Sequence, residues 1–271
     1  MSKTPIALTV AGSDSGGGAG IQADIKAISA TGAYACSVIT ALTAQNTLGV
    51  TGVMVVPPDF IAEQFAAVFA DLKIKAVKIG MLGDAETIRT VAKAIRQYQP
   101  DYVVLDPVMV ATSGDMLLAE DAVDTLISEL LPLADVINPN LHEALALLKR
   151  RDQDLPESDE AMRETCAALL ALGCKSVLLK GGHQQSEQST DYWLNNTGMH
   201  TFSGERIATR NTHGTGCTLS ASIASYLAQG FDMQQAIAQA KQYIQGAIRH
   251  ADDLHIGEGA GPVNHFYQLK K

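Results

Sequence analysis

Asn211-Thr-His-Gly-Thr-Gly-Cys-Thr218 brings together an amide, an imidazole, a thiol, hydroxyls and two glycines, and small and apolar residues fill 219–228 behind it. The pattern predicts a loop running into the first turn of a helix. The first N–H groups of a helix have no partner inside it, and the macrodipole adds partial positive charge there. Gly214 and Gly216 carry no side chain, so an anion can approach those N–H groups. Phosphate, or the charge on a transferring phosphoryl group, suits such a place. A plain loop-to-helix junction is the reading without chemistry.

Other polar groups follow short apolar runs. The stretch 12–20 follows 6–11, Gly80-Met81 follows 77–79, and Asp106 follows 102–105; Asn140 follows 135–137, and Lys180-Gly-Gly182 follows 176–179. The apolar runs, with 34–42 and 51–56, read as strands, and 12–20 as a loop. Between them, Ile21, Ile25 and Ile28 share one side of a helix. Phe60, Ile61, Phe65, Val68 and Phe69 form a stripe after Pro57-Pro58, and Asp84 caps a helix reaching about Tyr98. Two more helices are read at about 214–229 and 232–250. Strands separated by helices imply parallel βαβ units, and strands apolar throughout imply helices on both sheet faces. Asn195-Asn-Thr-Gly198 reads as a hairpin turn, adding an antiparallel edge. The segment 149–160 is polar and reads as a solvated connection. With no linker or repeat in view, the expectation is one α/β domain over 1–271. Ligands of such sheets bind beyond the carboxyl ends of the strands, where these polar groups fall.

Composition narrows the partners. The 271 residues are 46% hydrophobic, enough for a large core, and the formal net charge is −9. An acidic chain argues against nucleic acid or an anionic membrane as general partner. No apolar run approaches a membrane span, and the first residues lack the apolar run of a signal peptide. Cys36, Cys166, Cys174 and Cys217 form no Cys-x-x-Cys pair, as expected of reduced cytoplasmic thiols. Gly18-Ala-Gly-Ile-Gln-Ala23 fits a loose dinucleotide pattern, but the next strand ends without the required carboxylate. No P-loop, nucleophile elbow or His-x-x-x-His pair occurs.

Several motifs together resemble one family. Ala11-Gly-Ser-Asp-Ser-Gly-Gly-Gly-Ala-Gly-Ile-Gln-Ala-Asp24, Ser37-Val-Ile-Thr-Ala-Leu-Thr-Ala-Gln-Asn46, Asp106-Pro-Val108, Asn138-Pro-Asn-Leu-His-Glu-Ala144, Leu179-Lys-Gly-Gly-His183 and His213-Gly-Thr-Gly-Cys-Thr-Leu-Ser220 are similar to motifs of the hydroxymethylpyrimidine/phosphomethylpyrimidine kinases of thiamine biosynthesis. These belong to the ribokinase superfamily, and the likeness runs colinearly from about residue 5 to 267. It implies a three-layer α/β fold with a mainly parallel sheet. It also implies MgATP-dependent phosphorylation of 4-amino-5-hydroxymethyl-2-methylpyrimidine and then of its monophosphate.

The resemblance assigns roles residue by residue. Gly214, Thr215 and Gly216 would donate N–H groups to the transferring phosphoryl group. Glu143, within Asn-x-x-Glu, would help hold Mg²⁺, with Asp106 as a second candidate; Asn140, Asp106 and Lys180 would face the phosphates. Gln45 would recognise the aminopyrimidine edge, since an amide offers donor and acceptor together. Asp24 would bond the ring or its amino group, Met81 would pack on the ring, and Gly12, Ala19 and Gly20 would form close walls. Cys217 stands where most sugar kinases of the superfamily carry an aspartate base. A helix N-terminus can lower a thiol pKa, so Cys217 is open to two roles, base or lining. The likeness also implies a homodimer, for which 47–56 is an edge extension. Pyridoxal kinase and a pyrimidine-binding protein without catalysis are the competing readings.

Overall fold

The computed structural model describes residues 4–109, 118, 122–181 and 188–269. Gly182 and His183 of the Leu179–His183 motif lie outside the described residues. The strands are β1 (Ile6–Asp14), β2 (Tyr34–Asn46), β3 (Gly49–Val55), β4 (Ala76–Ile79), β5 (Tyr102–Leu105), β6 (Val136–Ile137), β7 (Val177–Leu179), β8 (Gln188–Asn195) and β9 (Gly198–Glu205). They form one sheet ordered β3-β2-β1-β4-β5-β6-β7-β8-β9. The six strands from β2 to β7 in that order are parallel. β3, β8 and β9 run antiparallel to their neighbours, as short connections allow. The chain leaves β1 for β2 on one side and returns to β4 on the other, which opens a crevice at the carboxyl ends of β1 and β4.

The helices are α1 (Gly20–Ala30), α2 (Pro58–Asp71), α3 (Ala85–Tyr98), α4 (Ala122–Thr125), α5 (Leu141–Leu147), α6 (Asp159–Leu170), α7 (Thr215–Ala228) and α8 (Met233–Arg249). Side-chain alternation along the strands decides what each face meets. Leu8 and Val10 of β1, Val77 and Ile79 of β4, and Val103 and Leu105 of β5 enter the core shared with α2, α3, α4, α5 and α6. Ala76 and Val104 face the opposite layer, which α7 and α8 cover, and Ala7 packs with α1, α7 and α8. The result is the three-layer, mainly parallel fold expected. Asp84 caps α3, accepting from Thr87 N–H at 2.8 Å, and Pro58 opens α2, both as expected.

The differences have local causes. Gly12-Ser-Asp14 was expected to be loop but continues β1, because β2 is long enough to pair Ser13 with Leu42 and Asp14 with Thr43 past a bulge. Glu143 was expected in a first helical turn and lies in that of α5, whereas α6 had no separate expectation. α6 begins within the polar 149–160 stretch, where Ser158 caps it by accepting from Ala161 N–H. Its inward residues Met162, Cys166 and Leu169 are flanked by charges that mask the helical period.

Candidate active site

Asp14, the last residue of β1, organises the glycine-rich turn. Its Oδ1 accepts from Gly16 N–H at 2.8 Å, and its Oδ2 from Gly18 N–H at 3.0 Å and Ala19 N–H at 2.8 Å. His213 Nε2 lies 2.9 Å from the same Oδ2. Burial works to raise the Asp14 pKa, but the bonds from His213, Ala19 and Gly16 outweigh it and hold the carboxyl below its usual range. The turn is tight: Gly20 has φ +55°, and a Cβ there would stand 2.3 Å from Gly12 O.

Across from this turn begins α7. Gly214 is its N-cap with φ +78°, and a Cβ there would stand 1.8 Å from Gly18 O. Its lack of a side chain is therefore enforced by the neighbouring loop, a different reason from the anion access expected. Gly216 has ordinary helical backbone. A Cβ on it would point at Lys180 Nζ, 3.3 Å away, and Asp106 Oδ2, 3.5 Å away, so this glycine does keep a polar space open. Thr215 N–H is taken by Thr212 O at 3.2 Å, a turn bond, and is not free for a ligand.

Cys217 lies in the first turn of α7, half-buried on the cavity wall. Burial pushes its thiol up to about 11; the Lys78 ammonium opposes the rise, while Asp24 and Asp106 add to it. The lowered pKa expected at a helix N-terminus is corrected: burial is the largest influence on this thiol and raises it.

A cluster of charged and polar groups forms just beyond the carboxyl ends of β5, β6 and β7. Lys180 Nζ donates to Asp106 Oδ1 at 3.0 Å and lies 3.9 Å from Glu143 Oε2. Asn138 Nδ2 and Ser220 Oγ also donate to Asp106, at 3.2 and 3.3 Å. Asn140 and Glu143 form a capping box on α5: Glu143 N–H reaches Asn140 Oδ1 at 2.9 Å, and Asn140 N–H reaches Glu143 Oε2 at 2.7 Å. Burial pushes Glu143 up to about 7, with Lys180 working against the rise and Asp106 with it. Burial also works to deprotonate Lys180, but Asp106 and Glu143 outweigh it and keep the ammonium charged.

Asp14, Asp106, Asn140, Glu143, Lys180 and His213 to Cys217 border one cleft of about 960 Å³, together with Gly12, Ala19, Gly20, Gln45 and Met81. Gln45 lines the same cleft, and Thr43 Oγ1 is 3.1 Å from its Oε1. Met81 closes on Gly12, where a Cβ would stand 3.1 Å from the sulfur. Asp24 is the predicted residue that the structure keeps out of the cleft. It is fully buried under α1, bonded by Lys78 Nζ at 2.8 and 3.0 Å and by Thr9 Oγ1 at 2.5 Å. Its carboxylate is consumed by this ion pair, so the expected contact with a pyrimidine is corrected. Against burial, Asp24 raises the Lys78 pKa and keeps that lysine charged beneath the cleft.

Sequence reasoning passed over Asp14, Lys78 and His213. Lys78 had a signal: a lysine inside Val77-Lys-Ile79, an otherwise apolar strand, must find a buried counter-charge. It also passed over the cleft's other arm, where Arg206, Ile207, Ile244 and Gln245 line a surface between β9 and α8.

Known proteins resemble this chain along nearly its whole length. The sequence pattern described as phosphomethylpyrimidine kinase matches residues 14–264. The hydroxymethylpyrimidine/phosphomethylpyrimidine kinase of Escherichia coli is 49% identical over 261 residues, covering 96% of this chain and 97% of that protein. The protein of that description from Rhizobium meliloti is 51% identical over 268 residues, covering 99% of each. Among solved structures, an ADP complex of Bacillus subtilis pyridoxal kinase superposes with a TM-score of 0.89 at 33% identity, covering 99% of this chain and 100% of that one. The chain belongs to the phosphomethylpyrimidine kinase family.

Proposed function

We propose that this phosphomethylpyrimidine kinase acts in thiamine biosynthesis by transferring the ATP γ-phosphoryl group to hydroxymethylpyrimidine and then to its monophosphate, with the residues of the cleft in the following roles. The observation that carries the assignment is the cleft itself, which gathers an amide suited to recognition, Gln45, with Lys180, Asp106 and the open face of Gly216. In each round a substrate oxygen bonds to the γ-phosphorus, the bond to the ADP oxygen breaks, and the alcohol or phosphate proton leaves to solvent. Such transfer needs alignment and charge neutralisation more than covalent help. Lys180 would neutralise phosphate oxygens. The N–H groups of Gly214, Gly216 and Cys217 would meet charge on the transferring group. Cys217, with its thiol pushed up, would line the substrate side.

Among the described residues no group of three or more His, Cys, Asp or Glu is placed to hold a metal. The donors present are nevertheless hard oxygens: Asp106, Glu143 and the buried Asn138 Oδ1, which has no partner among the described residues. That set fits Mg²⁺, which keeps several waters and takes one or two carboxylates plus substrate phosphates. Asp106 and Glu143 would hold it, and when bound it supplies positive charge to the phosphate oxygens.

A homodimer is supported by exposed Leu42, Val53, Met54, Val55 and Phe60 around the edge strand β3, where an uncovered edge is a liability. Four free cysteines suit a cytoplasmic setting, and among the described residues no helix is long and apolar enough to cross a membrane.

The test compares kcat/KM for hydroxymethylpyrimidine and pyridoxal in the natural chain and in Gln45→Leu. Burying polar groups without partners costs several kcal/mol, so Gln45→Leu is expected to cut use of the pyrimidine strongly and narrow its preference over pyridoxal. The KM for ATP should stay put. Equal losses for both alcohols would remove Gln45 from recognition, and a natural preference for pyridoxal would favour the pyridoxal kinase reading that the Bacillus subtilis structure keeps in view.

A further inference from the structure

His213 stands where three parts of the site meet, and the roles above leave it unused. Its backbone N–H donates to Gly261 O at 3.1 Å, and it pairs as a bridge with Pro262. Gly18 makes room for its ring, since a Cβ there would stand 2.4 Å from His213 Cδ2. The imidazole is thus clamped between the glycine-rich turn, the start of α7 and the C-terminal segment, with 8% of the residue exposed. Its Nε2 lies 2.9 Å from Asp14 Oδ2 and 3.5 Å from Gln45 Nε2.

An imidazole nitrogen carries either a hydrogen or a lone pair. Asp14 is an acceptor with its pKa held low, so the nitrogen facing it carries hydrogen. A nitrogen bearing hydrogen repels a second donor. Gln45 therefore meets His213 with its carbonyl oxygen, by a half turn of the amide plane. The amide nitrogen then faces Thr43 Oγ1, whose own hydrogen goes to Ser13 O at 2.9 Å. Donation now runs in one consistent direction along the chain of groups: His213 gives to Asp14 and leans on the Gln45 oxygen, Gln45 gives to Thr43, and Thr43 gives to Ser13.

We propose that His213 is a positioning residue for substrate choice: it fixes which end of the Gln45 amide is oxygen and which is nitrogen, and thereby the way round in which an aminopyrimidine lies. With oxygen on the His213 side, its second lone pair accepts from the exocyclic amino group, and the remaining amide hydrogen goes to the adjacent ring nitrogen. A reversed amide sets donor against donor and acceptor against acceptor. This rests on the reading of Gln45 as the recognition group and deepens it.

The experiment is steady-state kinetics with hydroxymethylpyrimidine and with pyridoxal at saturating MgATP. The variants are His213→Leu, His213→Gln, which returns a side-chain N–H near the Nε2 position, and Thr43→Val, which removes the other end of the chain. The two His213 variants are also made in a Gln45→Leu background. His213→Leu is expected to raise the pyrimidine KM about tenfold or more with kcat nearly unchanged, and to move the pyridoxal KM far less. His213→Gln should recover most of the loss, Thr43→Val should raise the pyrimidine KM alone, and His213→Leu should add nothing once Gln45 is gone. A fall in kcat of equal size for both alcohols overturns the proposal, because His213 then only props the start of α7. So does an undiminished KM effect in the Gln45→Leu background. Should His213→Leu fail to fold, an unchanged pyrimidine KM in Thr43→Val overturns it equally. If Gln45→Leu alone leaves the pyrimidine KM unchanged, the recognition reading itself falls, a result that its own arm reports apart from the His213 arms.

Discussion

Alanine at the two glycines of the α7 N-terminus should separate what builds the fold from what meets phosphate. At Gly214 the backbone is left-handed, and a Cβ would stand 1.8 Å from Gly18 O. The conformation costs alanine roughly 1–2 kcal/mol. Forcing a methyl against packed backbone adds roughly 1–3 kcal/mol. Gly214→Ala is then destabilised by roughly 2–5 kcal/mol, which in a chain this long lowers Tm by roughly 5–15 °C. At Gly216 the helical backbone favours alanine by about 0.5–1 kcal/mol. The nearest atoms to its Cβ, Lys180 Nζ and Asp106 Oδ2 at 3.3 and 3.5 Å, are side-chain ends that can give way. Gly216→Ala should melt within a few degrees of the natural chain. Under the proposed placement its methyl would fill the space a transferring phosphoryl group needs, and kcat/KM should fall on the order of a hundredfold, comparable to loss of an oxyanion donor. Calorimetry and a coupled assay of ADP release measure the two effects. A folded Gly216→Ala with near-normal turnover would refute the phosphate placement, and a Gly214→Ala with unchanged Tm would refute the steric argument.

Cys217, with its thiol near 11, is thiolate in roughly one molecule in ten thousand at pH 7. Cys217→Ala should keep kcat within about tenfold, whereas loss of a true general base costs about a hundredfold or more; kcat measured from pH 6 to 9 should not climb tenfold per unit. Removing one partner of the buried Lys78–Asp24 pair, as in Asp24→Asn or Lys78→Met, should cost roughly 3–5 kcal/mol in urea unfolding, and the double variant should recover a good part of it. No recovery would mean the two charges do not compensate one another. Burial pushes His265 down to about 4, so the unfolded chain binds its proton more readily. Stability from this residue is full above about pH 6.5 and is lost as pH falls toward 4, by roughly 3 kcal/mol, and His265→Gln should flatten that part of the profile. Light scattering at micromolar concentration should report twice the monomer mass, and Met54→Asp on β3 should return it to the monomer.

Most of the sheet was legible because the runs of β4 to β7 end at glycine or polar residues, Gly80, Asp106, Asn138 and Lys180, and the order of the motifs matched a family. Asp106 and Lys180 were placed at the cleft by strand ends, Gly216 by the loop-to-helix pattern, and Gln45 only by the family resemblance. What sequence could not show was which polar residues face inward to one another. Asp24 and Gln45 look equally available on paper, yet α1 turns Asp24 onto Lys78, one strand away from β1, while Gln45 stays in the cleft wall. His213 and Asp14 meet across 199 positions, and no local pattern reports such a contact. The thiol of Cys217 was misjudged for a similar reason: the dipole is local and visible, whereas desolvation is set by everything packed around it.

That long separation has a consequence during synthesis. β1 and α1 emerge first, but the face of α1 carrying Ala27 and Ile28 is covered by Ala221 of α7 and Tyr243 of α8. At about 5–20 residues per second, a ribosome needs roughly 10–40 s to travel from Asp14 to His213. Throughout that interval the glycine-rich turn lacks its imidazole clamp and the first helix lacks its cover. The nascent amino-terminal half must therefore wait, half-clothed, for the carboxyl-terminal helices, and catalytic competence arrives only when the last quarter of the chain has left the exit tunnel.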